Sequence, residues 1–160
     1  MPKNNLKKIR QNKVRVFLTS FVIVAIVAFL GSLFTSCGVK SAWYESIKPA
    51  LTPPNWVFPV VWTILFILIA FSLFYSLMKS KKRGMTALLF EINFILNIFW
   101  SMFYFGMRNP MYAFIDLILL WISILSLIIY NWKIDRRSSL LLIPYLIWVT
   151  FAGVLNSFSI

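Results

Sequence analysis

The chain has 160 residues, 61% of them hydrophobic and only 12% charged, too few polar groups to coat a soluble globule of that size. Its net charge of +12 sits in short clusters between apolar runs, which argues against a nucleic-acid-binding face. One cysteine, Cys37, excludes an internal disulfide, and the lack of histidine excludes a histidine-ligated metal or haem.

The composition is that of an all-α integral membrane protein, and the apolar runs predict a five-transmembrane-helix bundle. Residues 1–15 carry Lys3, Lys7, Lys8, Arg10, Lys13 and Arg15 and no acid, a basic cytoplasmic tail. A first span is expected at about 16–36, since ~20 apolar residues cross a ~30 Å hydrocarbon core. Phe34-Thr35-Ser36-Cys37 resembles a lipoprotein cleavage box, but the uncharged run exceeds the usual core of a signal peptide and further spans follow.

The stretch from Trp43 to Trp62 holds three tryptophans and four of the seven prolines, which predicts an ordered loop rather than a slack linker. Each proline fixes its own φ and biases the preceding residue away from helix. Lys48-Pro49 and Thr52-Pro53-Pro54 should therefore be extended, with Pro59 in the first turn of the next helix. Further spans are expected at about 58–78, 85–107, 111–132 and 139–158. Arg108-Asn109-Pro110 predicts a tight turn between the third and fourth, and Ser138 or Ser139 is a candidate cap for the fifth.

Counting Lys and Arg by side gives 13 on the side of the amino terminus and 3 on the other. The positive-inside rule then places the amino terminus in the cytoplasm and the Trp/Pro loop and carboxyl terminus opposite, in what would be a bacterial inner membrane.

Polar residues inside a span stand out, because hydrocarbon solvates them poorly. Asn93, Asn97, Trp100, Ser101 and Tyr104 form one stripe of the third helix and should face protein. Interhelical hydrogen bonding would account for the amides alone. The added indole and phenol suit a ligand pocket, with flat apolar walls and a few directed polar groups. On the fifth helix Pro144, Trp148, Ala152 and Asn156 follow at steps of four, and Trp62 and Phe66 share a face of the second. Glu91 is expected to pair with Lys81, Lys82 or Arg83. Asp116 could bond a neighbouring helix or a ligand.

Several of these blocks carry a family resemblance. Trp43-Tyr44, Lys48-Pro49, Pro53-Pro54, Trp56 and Pro59-Val60-Val61-Trp62-Thr63 resemble the signature loop of the tryptophan-rich sensory protein/translocator protein family (TspO/MBR), also called the peripheral-type benzodiazepine receptor family. Leu96-Asn97 with Trp100-Ser101 and Phe105-Gly106, Ala113 with Asp116, and Ile143-Pro144-Tyr145 with Trp148, Phe151-Ala152 and Leu155-Asn156 extend the match over about residues 16–158. The resemblance implies a five-helix bundle, commonly a homodimer, that binds porphyrins and benzodiazepine-site ligands in a cavity beneath the loop. It implies pocket positions at Tyr44, Pro53, Trp62, Phe66, Asn97, Trp100, Ser101, Trp148 and Ala152; the helical stripe adds Tyr104, and Asp116 is a further candidate. If the porphyrin is degraded, Trp62 and Trp148 are the implied catalytic residues.

Two departures stand out: Leu51 replaces a tryptophan usual in the family, and the terminal Leu155-Asn156-Ser157-Phe158-Ser159-Ile160 lacks the basic cholesterol-recognition segment of animal members. The leading expectation is a membrane receptor or sensor for a tetrapyrrole, with Asn97, Asp116 or nearby basic groups satisfying its propionates. Light- or oxygen-dependent porphyrin oxidation and small-molecule transport are the alternatives. Porphyrin would be ligand or substrate, with no resident cofactor or metal; membrane lipids are the other expected partner, and no nucleic acid is.

Overall fold

A computed structural model describes residues 3–160, with side chains from Arg10 onward. Helix α1 spans Lys3–Gly38, α2 Ala42–Ile47, α3 Val57–Lys79, α4 Arg83–Ser101, α5 Pro110–Trp132 and α6 Arg136–Ser157. Five of these helices, all but α2, are long and apolar enough to cross a membrane. Only 22–39% of each span's most apolar window is buried within the chain, so most of the apolar surface needs a hydrocarbon solvent. The molecule is an integral membrane protein.

The helices close into a ring in the order α1, α3, α6, α5, α4, with α4 returning to α1. Ile69, Phe90, Leu120, Ile124, Leu127, Leu142 and Tyr145 fill the middle of the bundle. Tyr44, Tyr104, Phe105 and Ala113 form a smaller cluster at one end, which fastens α2 onto the bundle.

Local chemistry sets the boundaries. Ser41 caps α2 by accepting from Tyr44 N at 3.2 Å, and Lys48 leaves the helix in extended conformation ahead of Pro49. A turn closed by Thr52 N to Pro49 O at 2.9 Å follows, and Pro59 sits in the first turn of α3 as expected. The segment anticipated as a loop thus contains a helix of its own, because Trp43 and Tyr44 gain burial against Tyr104. At the far end of α4, residues Met102–Gly106 widen into a π turn, with Met107 N donating to Met102 O at 2.8 Å. Arg108, at φ 52°, reverses the chain, and Asn109 caps α5 by accepting from Tyr112 N with Pro110 in the first turn.

Three expectations need correction. Residues 3–15 continue α1 as helix, while Met1 and Pro2 lie outside the described residues. At 1.5 Å per residue the 36 residues of α1 run ~54 Å, so its basic end projects beyond a ~30 Å hydrocarbon core. The cap of α6 is Asp135, which accepts from Arg137 N and also pairs with Lys79 Nζ at 3.2 Å. Ser138 and Ser139 lie inside the helix, fully buried; Ser138 joins Ser72 and Ser76 in a hydroxyl cluster that ties α3 to α6. Glu91 is exposed, and neither ion pair among the described residues includes it.

Candidate functional site: an aromatic cavity beneath the loop helix

A cavity of about 740 Å³ lies between α1, α3, α4 and α6, roofed by the segment from Val39 to Pro59. Its volume falls in the ~300–1,000 Å³ range of small-molecule sites. Two aromatic pairs from different helices form its walls. On α3 the rings of Trp62 and Phe66 lie 5.4 Å apart at 30°, and on α4 and the π turn those of Trp100 and Tyr104 stack at 5.4 Å and 23°.

Hydrogen bonds hold the second wall in place. Trp100 Nε1 donates to Asn156 Oδ1 at 3.2 Å, and Tyr104 donates to Ser159 Oγ at 2.9 Å. Asn97 Nδ2 donates to Tyr145 Oη at 3.0 Å, while Asn93, deeper in the bundle, donates to Ser123 Oγ at 2.8 Å. The α4 stripe therefore divides by depth: Asn93 joins helices, whereas Asn97, Trp100, Ser101 and Tyr104 also face the cavity.

Tyr44 closes the cavity from α2 and is 4% exposed. Burial, reinforced by Tyr104 and Glu45 nearby, pushes its phenol up to about 12. At neutral pH the group is a neutral donor. Lys40 is the one charged residue in the lining. Thr52 Oγ1, also at the lining, is buried without a hydrogen-bond partner.

Of the residues singled out from the sequence, Tyr44, Trp62, Phe66, Asn97, Trp100, Ser101, Tyr104, Ala152 and Asn156 line the cavity. Pro53, Asp116 and Trp148 do not. At the loop, Pro49 and Thr52 face inward instead of Pro53. Asp116 is on α5, a helix that contributes nothing to the lining; it is 4% exposed and its Oδ2 has no partner. Trp148 packs on Phe58 and Phe151, at ring separations of 5.9 and 5.6 Å. Steps of four advance ~400°, so a stripe drifts ~40° per step and Trp148 stands ~80° around α6 from Asn156.

The wall given by α1 was not anticipated. Ala28, Gly31 and Thr35 follow at helical spacing with Ser32 and Ser36 beside them, a run of small side chains that leaves room next to Trp62 and Trp100. Between α1 and α3 this wall is open: Phe29, Ser32, Pro59 and Thr63 line the cavity yet are exposed on the flank of the bundle. A second hollow, of about 540 Å³ beside Arg10–Thr19, is lined by α1 alone and encloses nothing.

Five spans ringed around an aromatic cavity, with a short helix packed over its mouth, define a polytopic helical membrane protein. The chain belongs to the TspO/MBR family, whose profile matches residues 20–159. It is 41% identical over 135 residues to the tryptophan-rich protein TspO of Chlorobaculum tepidum, covering 81% of this chain and 84% of that one. It is 35% identical to protein CrtK of Rhodobacter capsulatus, over 88% of each chain. With the translocator protein of Bos taurus the identity is 29%, over 84% of this chain and 82% of the other.

Proposed function

We propose that this protein is a membrane receptor or sensor that holds a flat tetrapyrrole between the Trp62/Phe66 and Trp100/Tyr104 pairs. The observation that carries the reading is the placement of those two pairs on different helices around one cavity of about 740 Å³. Indole and phenol faces supply broad dispersion contact at small entropic cost, which suits an extended π-system. Benzodiazepine-site ligands, being flat and aromatic, would compete for the same walls. The names of two relatives, a tryptophan-rich sensory protein of Cereibacter sphaeroides and the translocator protein of Bos taurus, agree with a receptor role.

The same proposal places the amino terminus in the cytoplasm, by the excess of Lys and Arg on that side, and the cavity mouth opposite. A homodimer in a bacterial inner membrane belongs to it as well.

A titration with protoporphyrin IX in detergent, read by tryptophan quenching, tests the receptor reading. Trp62→Leu should weaken binding roughly tenfold, about 1.4 kcal/mol, while Trp148→Leu should change it far less. Wild-type affinity in the Trp62→Leu/Trp100→Leu double variant would remove the site.

One contact favours a catalytic reading as the alternative: the Trp62 ring lies 6.1 Å from that of Tyr145, an indole–phenol pair able to share an oxidising equivalent beside a bound porphyrin. Illumination under dioxygen decides it. Loss of porphyrin absorbance no faster than in protein-free detergent excludes turnover.

A further inference from the structure

The roof residues that line the cavity offer donors and a positive charge, and no carboxylate is among them. Lys40 follows α1, lines the cavity and carries the only charge there. The two ion pairs among the described residues, Lys48–Glu45 and Lys79–Asp135, leave it out. Thr52 belongs to the same lining, and its buried Oγ1 has no hydrogen-bond partner among the described residues. A buried hydroxyl without a partner is costly, and rotation about χ1 toward a ligand acceptor in the cavity would relieve that. Asn55 adds an amide to the same lining, and Tyr44, held neutral by its burial, adds a phenolic donor.

Orientation in the membrane does not account for Lys40. It stands on the side that holds 3 of the 16 basic residues, where the positive-inside rule favours none. The other basic residue of the loop, Lys48, is neutralised within its own helix turn by Glu45.

We propose that Lys40, with Thr52 as its hydrogen-bonding companion, reads an anionic group on the ligand. The ligand is then an apolar body with a carboxylate at one edge, seated with the carboxylate toward the roof and the body between the aromatic pairs. The inference rests on the receptor reading above and sharpens it, because it fixes the ligand's direction. A tetrapyrrole propionate and a fatty-acid carboxylate share this chemistry, so the test includes both.

The probes are protoporphyrin IX against its dimethyl ester, and oleate against methyl oleate, bound to the full chain in a non-ionic detergent. Wild type should prefer each acid over its ester by roughly fivefold, the scale of one charge-assisted hydrogen bond discounted for solvent. Lys40→Met should abolish the preference by weakening the acid and leaving the ester unchanged. Lys40→Arg should keep it, and Thr52→Val should reduce it in part. Because Lys40 is exposed, Lys40→Met should fold normally, and unchanged ester binding verifies that in the same measurement.

Equal affinity for acid and ester in wild type, or a preference that persists in Lys40→Met, overturns the inference. If neither porphyrin binds, the tetrapyrrole reading fails alone. The oleate pair then decides Lys40 by the same criterion, and no preference for oleate overturns its role.

Discussion

The amide of Asn156 joins three helices: it accepts from Trp100 Nε1 at 3.2 Å and donates from Nδ2 to the carbonyl of Pro110 at 2.9 Å. Asn156 is 1% exposed, so neither bond has water to replace it. Asn156→Ala should lower stability by ~1–3 kcal/mol, since it leaves the Trp100 indole N–H without its acceptor and removes the side-chain tie to the Pro110 carbonyl. Trp100→Phe removes only the indole donor and should cost less through this bond, ~1 kcal/mol or below. Thermal denaturation in detergent, followed by circular dichroism, checks the order; an Asn156→Ala variant as stable as wild type would contradict the three-helix tie.

Gly38 meets Phe105 where α1 ends against the π turn. A Cβ at Gly38 would lie 2.5, 2.6 and 2.9 Å from Cδ1, Cβ and Cγ of Phe105. The Cβ of Phe105 is fixed by its backbone, so rotating the side chain cannot relieve the 2.6 Å approach. Gly38→Ala is expected to destabilise by ~1–3 kcal/mol, the usual cost of overpacking. Phe105→Ala in the same chain should recover part of the loss relative to the sum of the two single changes. Strict additivity of the two melting shifts would argue against the contact.

Tyr44 gives the fold an alkaline limit. Its phenol stands at about 12 in the folded chain against 10.0 as the ordinary value, chiefly because it is buried. The unfolded chain therefore loses this proton first as pH rises. The stability that Tyr44 contributes is complete below pH ~10 and is lost as pH rises through about 12. Tyr44→Phe should be less sensitive to pH across that window, measured as the difference in melting temperature from wild type between pH 9 and 11. Parallel curves would show that Tyr44 does not titrate with unfolding.

The spans were legible because, in a chain this poor in polar groups, ~20-residue apolar runs bounded by basic clusters fit little besides membrane helices. The aromatic walls were legible for a similar reason, since Trp62 and Phe66, and Trp100 and Tyr104, share helix faces by spacing alone. What escaped depends on contacts between distant segments. The helix α2 forms where Tyr44 can bury itself on Tyr104 and Phe105, a gain invisible in the residues of the loop. The π turn at Met102–Gly106 breaks the 3.6 period that the stripe was drawn with.

Ser138 and Ser139 have good capping chemistry, but Asp135 stood three residues earlier with the same chemistry and Lys79 within reach. That freed Ser138 for Ser72 and Ser76. Asp116 shows the limit of the polar-residue rule: a carboxyl buried in a span marked a special position, but its helix lies behind the cavity rather than in its wall.

The open flank between α1 and α3 changes what concentration means for this molecule. A solute that reaches Phe29 and Thr63 sideways arrives already dissolved in hydrocarbon, so its reservoir is the lipid phase and its effective amount is a mole fraction rather than a molarity. Two compounds with identical contacts to Trp62 and Trp100 would then differ in apparent affinity by the ratio of their partition coefficients. Occupancy would also fall when more lipid or detergent is added at constant protein and ligand, a dilution that leaves the aqueous volume untouched.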